Sequence, residues 1–171
     1  MNTSNSMEVY NWLNVAQDLP TKPTFLSKED QALYFRLMLE ELTEVAQNSP
    51  NGVKILKGEM ESINWEKIEQ FEPNHEGILD GLVDLEVVNH NNTVKSGLTS
   101  SYQPHFMRVM TSNLNKYCQT PQEALEGQQK YKEQGIDTWV EDKHNGFYII
   151  KRESDNKILK GPRYKEPKTQ L

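Results

Sequence analysis

Carboxylates recur at one-turn spacing in two stretches of the chain, LMLEELTEVAQ at 37–47 and EGILDGLVDLEVVNHNNTVKSG at 76–97. At about 100° of helical turn per residue, Glu44 lies roughly 40° and Glu41 about 100° from Glu40, so the three acids share one arc of a helix. Leu33 and Leu37 continue that arc, while Phe35, Met38, Leu42, Val45 and Ala46 occupy the opposite side. In the second stretch, taking Asp80 as origin, Asp84 falls near 40°, Asn91 near 20° and Lys95 near 60°, which makes one polar stripe. Glu76 lies on its margin, and Ile78, Leu79, Leu82 and Leu85 cover the other side. Val87 and Val88 fall within or beside the stripe, which predicts a stripe buried between helices. Like charges one turn apart repel and lose solvation, so such a patch needs a compensating cation or stays at a wet edge. The donors are all oxygen, with no cysteine or clustered histidine among them, which selects a hard divalent ion, Mg²⁺ or Mn²⁺, over zinc. Spacing alone is also compatible with two plain solvated faces. His75, His90, His105 and His144 are dispersed without ligand spacing, and no Ser-His-Asp order, phosphate-binding loop or G-x-G-x-x-G is present.

The elements that must position these acids read as helices. Residues 7–19 carry apolar side chains at Met7, Tyr10, Leu13 and Val15, a moderate amphipathic pattern that stops at Pro20. Ser27 followed by Lys28, Glu29 and Asp30 places an N-cap and first-turn acids before a helix over 28–47. After the turn signal Ser49-Pro50-Asn51-Gly52, the stretch 53–72 predicts only a short helix near 64–70. A helix over 76–96 is closed by Gly97, and another spans 103–117. Thr120, Pro121 and Glu123 combine N-cap, N1 proline and capping-box glutamate, opening a polar helix that ends before Gly135. From Thr138 the period changes: TWVED, then KHNG, then FYIIKR predicts a hairpin turning at Asn145-Gly146. A third short strand is expected at Lys157–Lys160, and the ending GPRYKEPKTQL is expected to be extended at the surface. The fold class is mainly α, a helical bundle with a small C-terminal β-meander. Residues 1–135 form the helical body, and 136–171 form the hairpin and tail of the same domain.

At 171 residues the chain is long enough for one buried core. The net charge of −6 excludes a general affinity for nucleic acid polymers or anionic membranes, since clustered Lys and Arg drive such binding. A phosphate-bearing partner is therefore expected to be small and met locally. The start MNTSNSMEVYNWL lacks a basic and then apolar leader, and no stretch approaches the roughly 20 apolar residues of a membrane span. Cys118 is alone, so no internal disulfide forms, and it reads as a small structural residue rather than a nucleophile. These features place the protein in the cytoplasm.

The order of motifs resembles the all-α nucleoside triphosphate pyrophosphohydrolases, the MazG-like and phosphoribosyl-ATP-pyrophosphohydrolase-like superfamily. Its pattern is a helix with E-E-x-x-E, matched at Glu40, Glu41 and Glu44, then a second helix with an acidic pair, matched at Asp80 and Asp84. The bacterial and phage branch has a segment like D-G-L-V-D-L-x-Y-V-x-x-G-x-A-x-x-x-G, matched at 80–85, Val88 and Gly97. V-M-T-S-N-L-N-K at 109–116 is similar to the branch's H-R-S-N-M-S-K, and K-I-L-K-G-P-R-Y at 157–164 is similar to its closing K-V-L-K-x-x-x-Y. The chain departs at Val87, Asn91 and Thr93, where Tyr, Gly and Ala are usual. Gly81 stands where many relatives carry a glutamate, which leaves Asp80 as the candidate partner of Asp84. The resemblance extends over 7–164.

This resemblance implies hydrolysis of a nucleotide to its monophosphate and pyrophosphate by water attack at the α-phosphorus, with Mg²⁺ or Mn²⁺ as cofactor. Glu41, Glu44 and Asp84 would hold the ion, and Glu40 or Asp80 would hold a further ion or orient the water. Asn113 and Lys116, three apart on an expected helix face, would meet phosphate oxygens; Lys160, Arg163 and Tyr164 would close over the ligand as a flap. Asn91 projects along the acidic stripe toward sugar or base, and Trp12 either stacks on a base or packs in the core. A homodimer or homotetramer is implied as well. Two other classes fit the residues: a nucleotide- or alarmone-binding regulator without turnover, and a helical adaptor without activity.

Overall fold

The computed structural model describes residues 4–69 and 72–169. The chain is mainly helical, with seven helices and a two-stranded antiparallel sheet among the described residues. The helices are α1 (Asn5–Leu13), α2 (Lys28–Gln47), α3 (Gly52–Glu61), α4 (Trp65–Ile68), α5 (His75–Lys95), α6 (Thr99–Leu114) and α7 (Pro121–Glu133); the strands are β1 (Thr138–Asp142) and β2 (Tyr148–Arg152). Two compact units form. One comprises the segments up to Leu19 and from Val87 onward; the other comprises Pro20–Glu86, so the division falls within α5.

Local chemistry accounts for most boundaries. Ser27 caps α2 by accepting the Asp30 N–H at 3.0 Å, as its sequence position predicts. α5 ends at Lys95 and is closed by Gly97 (φ 71°): the Gly97 N–H reaches the Val94 carbonyl at 3.0 Å and that of Leu98 reaches Thr93 at 3.0 Å, a left-handed cap that glycine adopts without strain. Thr120 caps α7 through the Glu123 N–H at 3.1 Å, while the Glu123 carboxylate reaches back past the cap to the Gln119 N–H at 2.8 Å.

Several expectations are corrected. α1 begins at Asn5, capped by Ser4, and ends at Leu13, because the chain must turn to bury Ala16. α3 was not anticipated: Gly52 and Gly58 weaken its helical signal, and its N-cap Asn51 adopts φ 60° without a side-chain cap. α4 falls within the expected 64–70, and Gln70 lies outside the described residues. α6 begins upstream of Pro104, which it contains, and stops at Leu114, so its end precedes Lys116. Lys157–Lys160 is no strand: Ile158 makes an isolated bridge to Lys151 and Leu159 N–H reaches the Ile150 carbonyl at 2.8 Å, after which the chain departs.

The core lies in the first unit. β1 and β2 pair with Val140 opposite Ile150, and Ile149 and Ile150, on opposite faces of β2, are fully buried. One face packs on Ala16 and Tyr117 with Trp12, Leu114 and Phe147; the other packs on Cys118 and Ala124 with Tyr131 and Leu159. Gly127 lets α7 approach the sheet, since a Cβ there would overlap Ile150 Cδ1. The ending expected to run extended at the surface is tied down at two points: Gly161 is buried and Ser112 Oγ donates to the Lys165 carbonyl. In the Pro20–Glu86 unit α2 packs against α3, and Ala46 is its one buried residue among those described. Its helices leave Phe35, Leu42, Ile55, Leu79 and Leu82 exposed.

Candidate functional site

All five expected metal-ligating acids belong to the Pro20–Glu86 unit, Glu40, Glu41 and Glu44 on α2 and Asp80 and Asp84 on the first half of α5. All are exposed. Glu40 faces Arg36 at 3.9 Å, and the other four carboxylates make no hydrogen bond or ion pair with a described residue. α2 does not pack against this part of α5, and among the described residues no group of three or more His, Cys, Asp or Glu side chains is gathered for a metal ion. The stripe on α5 is therefore open along its length, with Val87 and Val88 exposed rather than enclosed between helices. The reason is physical: like charges one turn apart favour the water-exposed edge, and among the described residues of this unit only the α2–α3 pair packs helix on helix. In donor chemistry the set fits a hard divalent ion, since it offers carboxylate oxygen alone and only Glu40 is shared, with Arg36; a single chain does not bring the two patches together.

The expected phosphate contacts lie in the other unit, and there the chain does bring residues together. Lys116 follows the end of α6, in a turn where its N–H reaches the Asn113 carbonyl at 3.1 Å, so Asn113 and Lys116 do not share a helix face. Its ammonium group sits 5.6 Å from the Trp12 ring centre and 5.9 Å from that of Tyr164, and Lys160 Nζ sits 4.2 Å from the same Tyr164 ring. Burial lowers the Lys116 pKa from its ordinary value, and the Lys160 charge lowers it further. Two cations thus converge, and among the described residues Lys160 pairs with one carboxylate, the exposed Glu166 at 3.8 Å. Beneath them opens a cavity of ≈ 370 Å³ lined by Trp12, Lys116, Tyr131, Lys157 and Lys160 among others.

Two backbone contacts fix this pair. Gly161 N–H donates to the Lys116 carbonyl at 2.8 Å, and the Tyr131 hydroxyl donates to the Lys160 carbonyl at 2.9 Å. A Cβ at residue 161 would lie 2.9 Å from the Lys116 oxygen and 3.0 Å from Cys118 Sγ, so glycine is required for the approach. Sequence reasoning missed Tyr131 and Gly161. The one available signal was a glycine directly after Lys160 in a segment otherwise read as surface tail.

Arg163 is engaged internally, its Nε 3.2 Å from Glu123 Oε2 and its guanidinium donating to the Tyr117 carbonyl at 3.1 Å. Asn91 is exposed on α5 and Asn113 is half-buried in the last turn of α6. The histidines have separate settings: His75 stacks on Phe25 at 3.9 Å, His90 meets Tyr102 edge-on at 5.2 Å, His105 is half-buried and His144 lies 3.5 Å from Asp142. Cys118 is buried, and that burial together with the Glu123 charge pushes its thiol up to about 11, which keeps it protonated at neutral pH. Among the described residues no helix is long and apolar enough to cross a membrane.

Comparison with protein-family models, with curated proteins and with solved structures returns no match to this chain.

Proposed function

We propose that the protein is a cytoplasmic, Mg²⁺- or Mn²⁺-dependent nucleoside triphosphate pyrophosphohydrolase that works as a homodimer or homotetramer. The observation that carries this reading is the pairing of oxygen-only acidic patches with uncovered apolar faces on the same two helices, α2 and α5. Such faces are stable in water when another helix covers them, and a second copy of the chain supplies helices of matching character. Covering them gathers the acids. Glu41, Glu44 and Asp84 then hold the divalent ion, and Glu40 or Asp80 holds a further ion or accepts the proton of the attacking water. When bound, the ion supplies neutralisation of phosphate charge and a more acidic water. In their own unit, Lys116 and Lys160 offer contacts for phosphate oxygens, with Tyr164 beside both ammonium groups.

A nucleotide-binding regulator without turnover is the second reading, favoured by one observation: the lysine–aromatic cluster is assembled in the unit that lacks the acids. Product analysis separates the two. Incubation of the purified protein with canonical and modified nucleoside triphosphates and Mg²⁺ or Mn²⁺ should release pyrophosphate. Glu44→Gln and Asp84→Asn should each abolish release while leaving the fold intact, because an amide keeps the shape and removes the charged ligand. Release at wild-type rate by both variants at saturating metal would refute the assignment.

A further inference from the structure

We infer that the cavity beneath Lys116 and Lys160 is a preformed, metal-independent binding site for a phosphorylated aromatic ring, with Trp12 as the ring platform and the two ammonium groups as phosphate contacts. The inference rests on the proposed function for the choice of a nucleotide as ligand. It goes further in making the site complete within one unit and in assigning Trp12, Tyr131 and Gly161.

The cavity volume, ≈ 370 Å³, lies in the range of roughly 300–1,000 Å³ that small-molecule sites occupy. Its chemistry is uneven. Trp12, Ile158 and Leu159 contribute apolar wall, Lys116 and Lys160 hold their ammonium groups against the aromatic rings beside it, and no carboxylate is among its described lining residues. The one described acid paired with these cations, Glu166, is exposed and 3.8 Å from Lys160, so two neighbouring cations remain poised for an anion that relieves their mutual repulsion. Burial of Lys116 sharpens this, because an ammonium group that has lost water gains more from a phosphate oxygen than an exposed one does. Trp12 is anchored from behind by Ala16, Tyr117 and Ile149 and still lines the cavity, so its ring is both core and wall. The site is also preorganised: Gly161 and the Tyr131 hydroxyl fix the backbone of Lys160 against that of Lys116, so ligand binding need not order the segment. Tyr131 and Gly161 are thus positioning residues.

The test uses the full chain carrying Glu44→Gln and Asp84→Asn, in chelator, titrated with inorganic tripolyphosphate and with a nucleoside triphosphate while heat is recorded. Both should bind, the nucleotide more tightly. Lys116→Ala and Lys160→Ala should each weaken both ligands by roughly tenfold or more, the loss of about 1.4 kcal/mol expected for a charge-assisted contact. Trp12→Leu should abolish the nucleotide's advantage while sparing tripolyphosphate. Should that variant unfold, a nucleotide-dependent quench of indole fluorescence that persists in both Trp65→Phe and Trp139→Phe supplies the same evidence, and a quench lost with either would overturn the platform. Tyr131→Phe should weaken tripolyphosphate with its melting temperature unchanged. Absence of metal-free binding, equal affinity in Lys116→Ala, or equal affinity for the two ligands would overturn the inference. Turnover by the unmodified protein without metal-free binding would remove this site and leave the pyrophosphohydrolase reading standing. Metal-free binding without turnover would do the reverse.

Discussion

The two units carry similar apolar patterns and reach opposite outcomes. In the unit built around the hairpin, Ile149 and Ile150 are 0% exposed, enclosed between the α1–α6 side and α7. In the Pro20–Glu86 unit, Phe35 is 62% and Leu79 65% exposed on helices of equal regularity. A β-strand sends alternate side chains to two faces and so needs cover on both, which α7 and the α1–α6 side provide. A long helix presents one apolar stripe and is satisfied only by another helix, which this unit lacks for most of its stripes. Periodicity therefore tells which face seeks cover, and the number of covering elements within the chain tells whether cover is found.

The largest expected contrast is in stability. Ile150→Ala should destabilise the hairpin unit by about 2–5 kcal/mol, the cost of a core cavity, whereas Leu82→Ala should change monomer stability by no more than about 0.5 kcal/mol. Leu82→Ala should instead weaken self-association, so denaturant unfolding and sedimentation together read the contrast. A loss of several kcal/mol for Leu82→Ala at high dilution would break it.

Metal should act on the open unit alone. Mg²⁺ or Mn²⁺ at about 100 times its Kd should stabilise the native state by roughly 2.7 kcal/mol, with slowed amide exchange in α2 and α5 and unchanged exchange in β2. Glu44→Gln should abolish the effect. Equal slowing in both units would mean that the ion binds elsewhere.

How much of this was readable from residues follows the same division. The bounds of α2, the glycine cap of α5 and the Thr120-Pro121 opening of α7 come from short-range chemistry and were read correctly. The hairpin was placed by Asn145-Gly146, though its loop spans 143–147, with His144 at φ 55° and Gly146 at φ 88°. Missed features depend on distant partners. Lys157–Lys160 has the composition of a strand, yet Tyr131 and the Lys116 carbonyl capture the chain after Leu159. The end of α6 before Lys116 likewise follows from burial of Tyr117 and Cys118, which no local pattern reveals. Of the candidate site, the lysine–aromatic group is assembled, and the acids are present but apart.

A smaller effect is expected from pH, and only in the hairpin unit. Arg152 holds Asp155 down to about 2 through hydrogen bonds of 2.9 and 2.6 Å. A depressed carboxyl stabilises the fold above its unfolded value near 3.9 and ceases to as pH falls through the folded value. Asp155→Asn should lower neutral-pH stability slightly, since the exposed pair contributes little, and should remove a matching small loss between about pH 4 and 2. A large loss at neutral pH would show that the turn at Asp155 matters more than its charge.

The proposed reaction makes one demand that no binding or stability measurement can imitate. If water attacks the α-phosphorus, hydrolysis in ¹⁸O-labelled water with Mg²⁺ must place the label in the nucleoside monophosphate and leave pyrophosphate unlabelled, as read by mass spectrometry of the products. Label in pyrophosphate, release of orthophosphate in its place, or no hydrolysis of any nucleoside triphosphate tested would contradict the account.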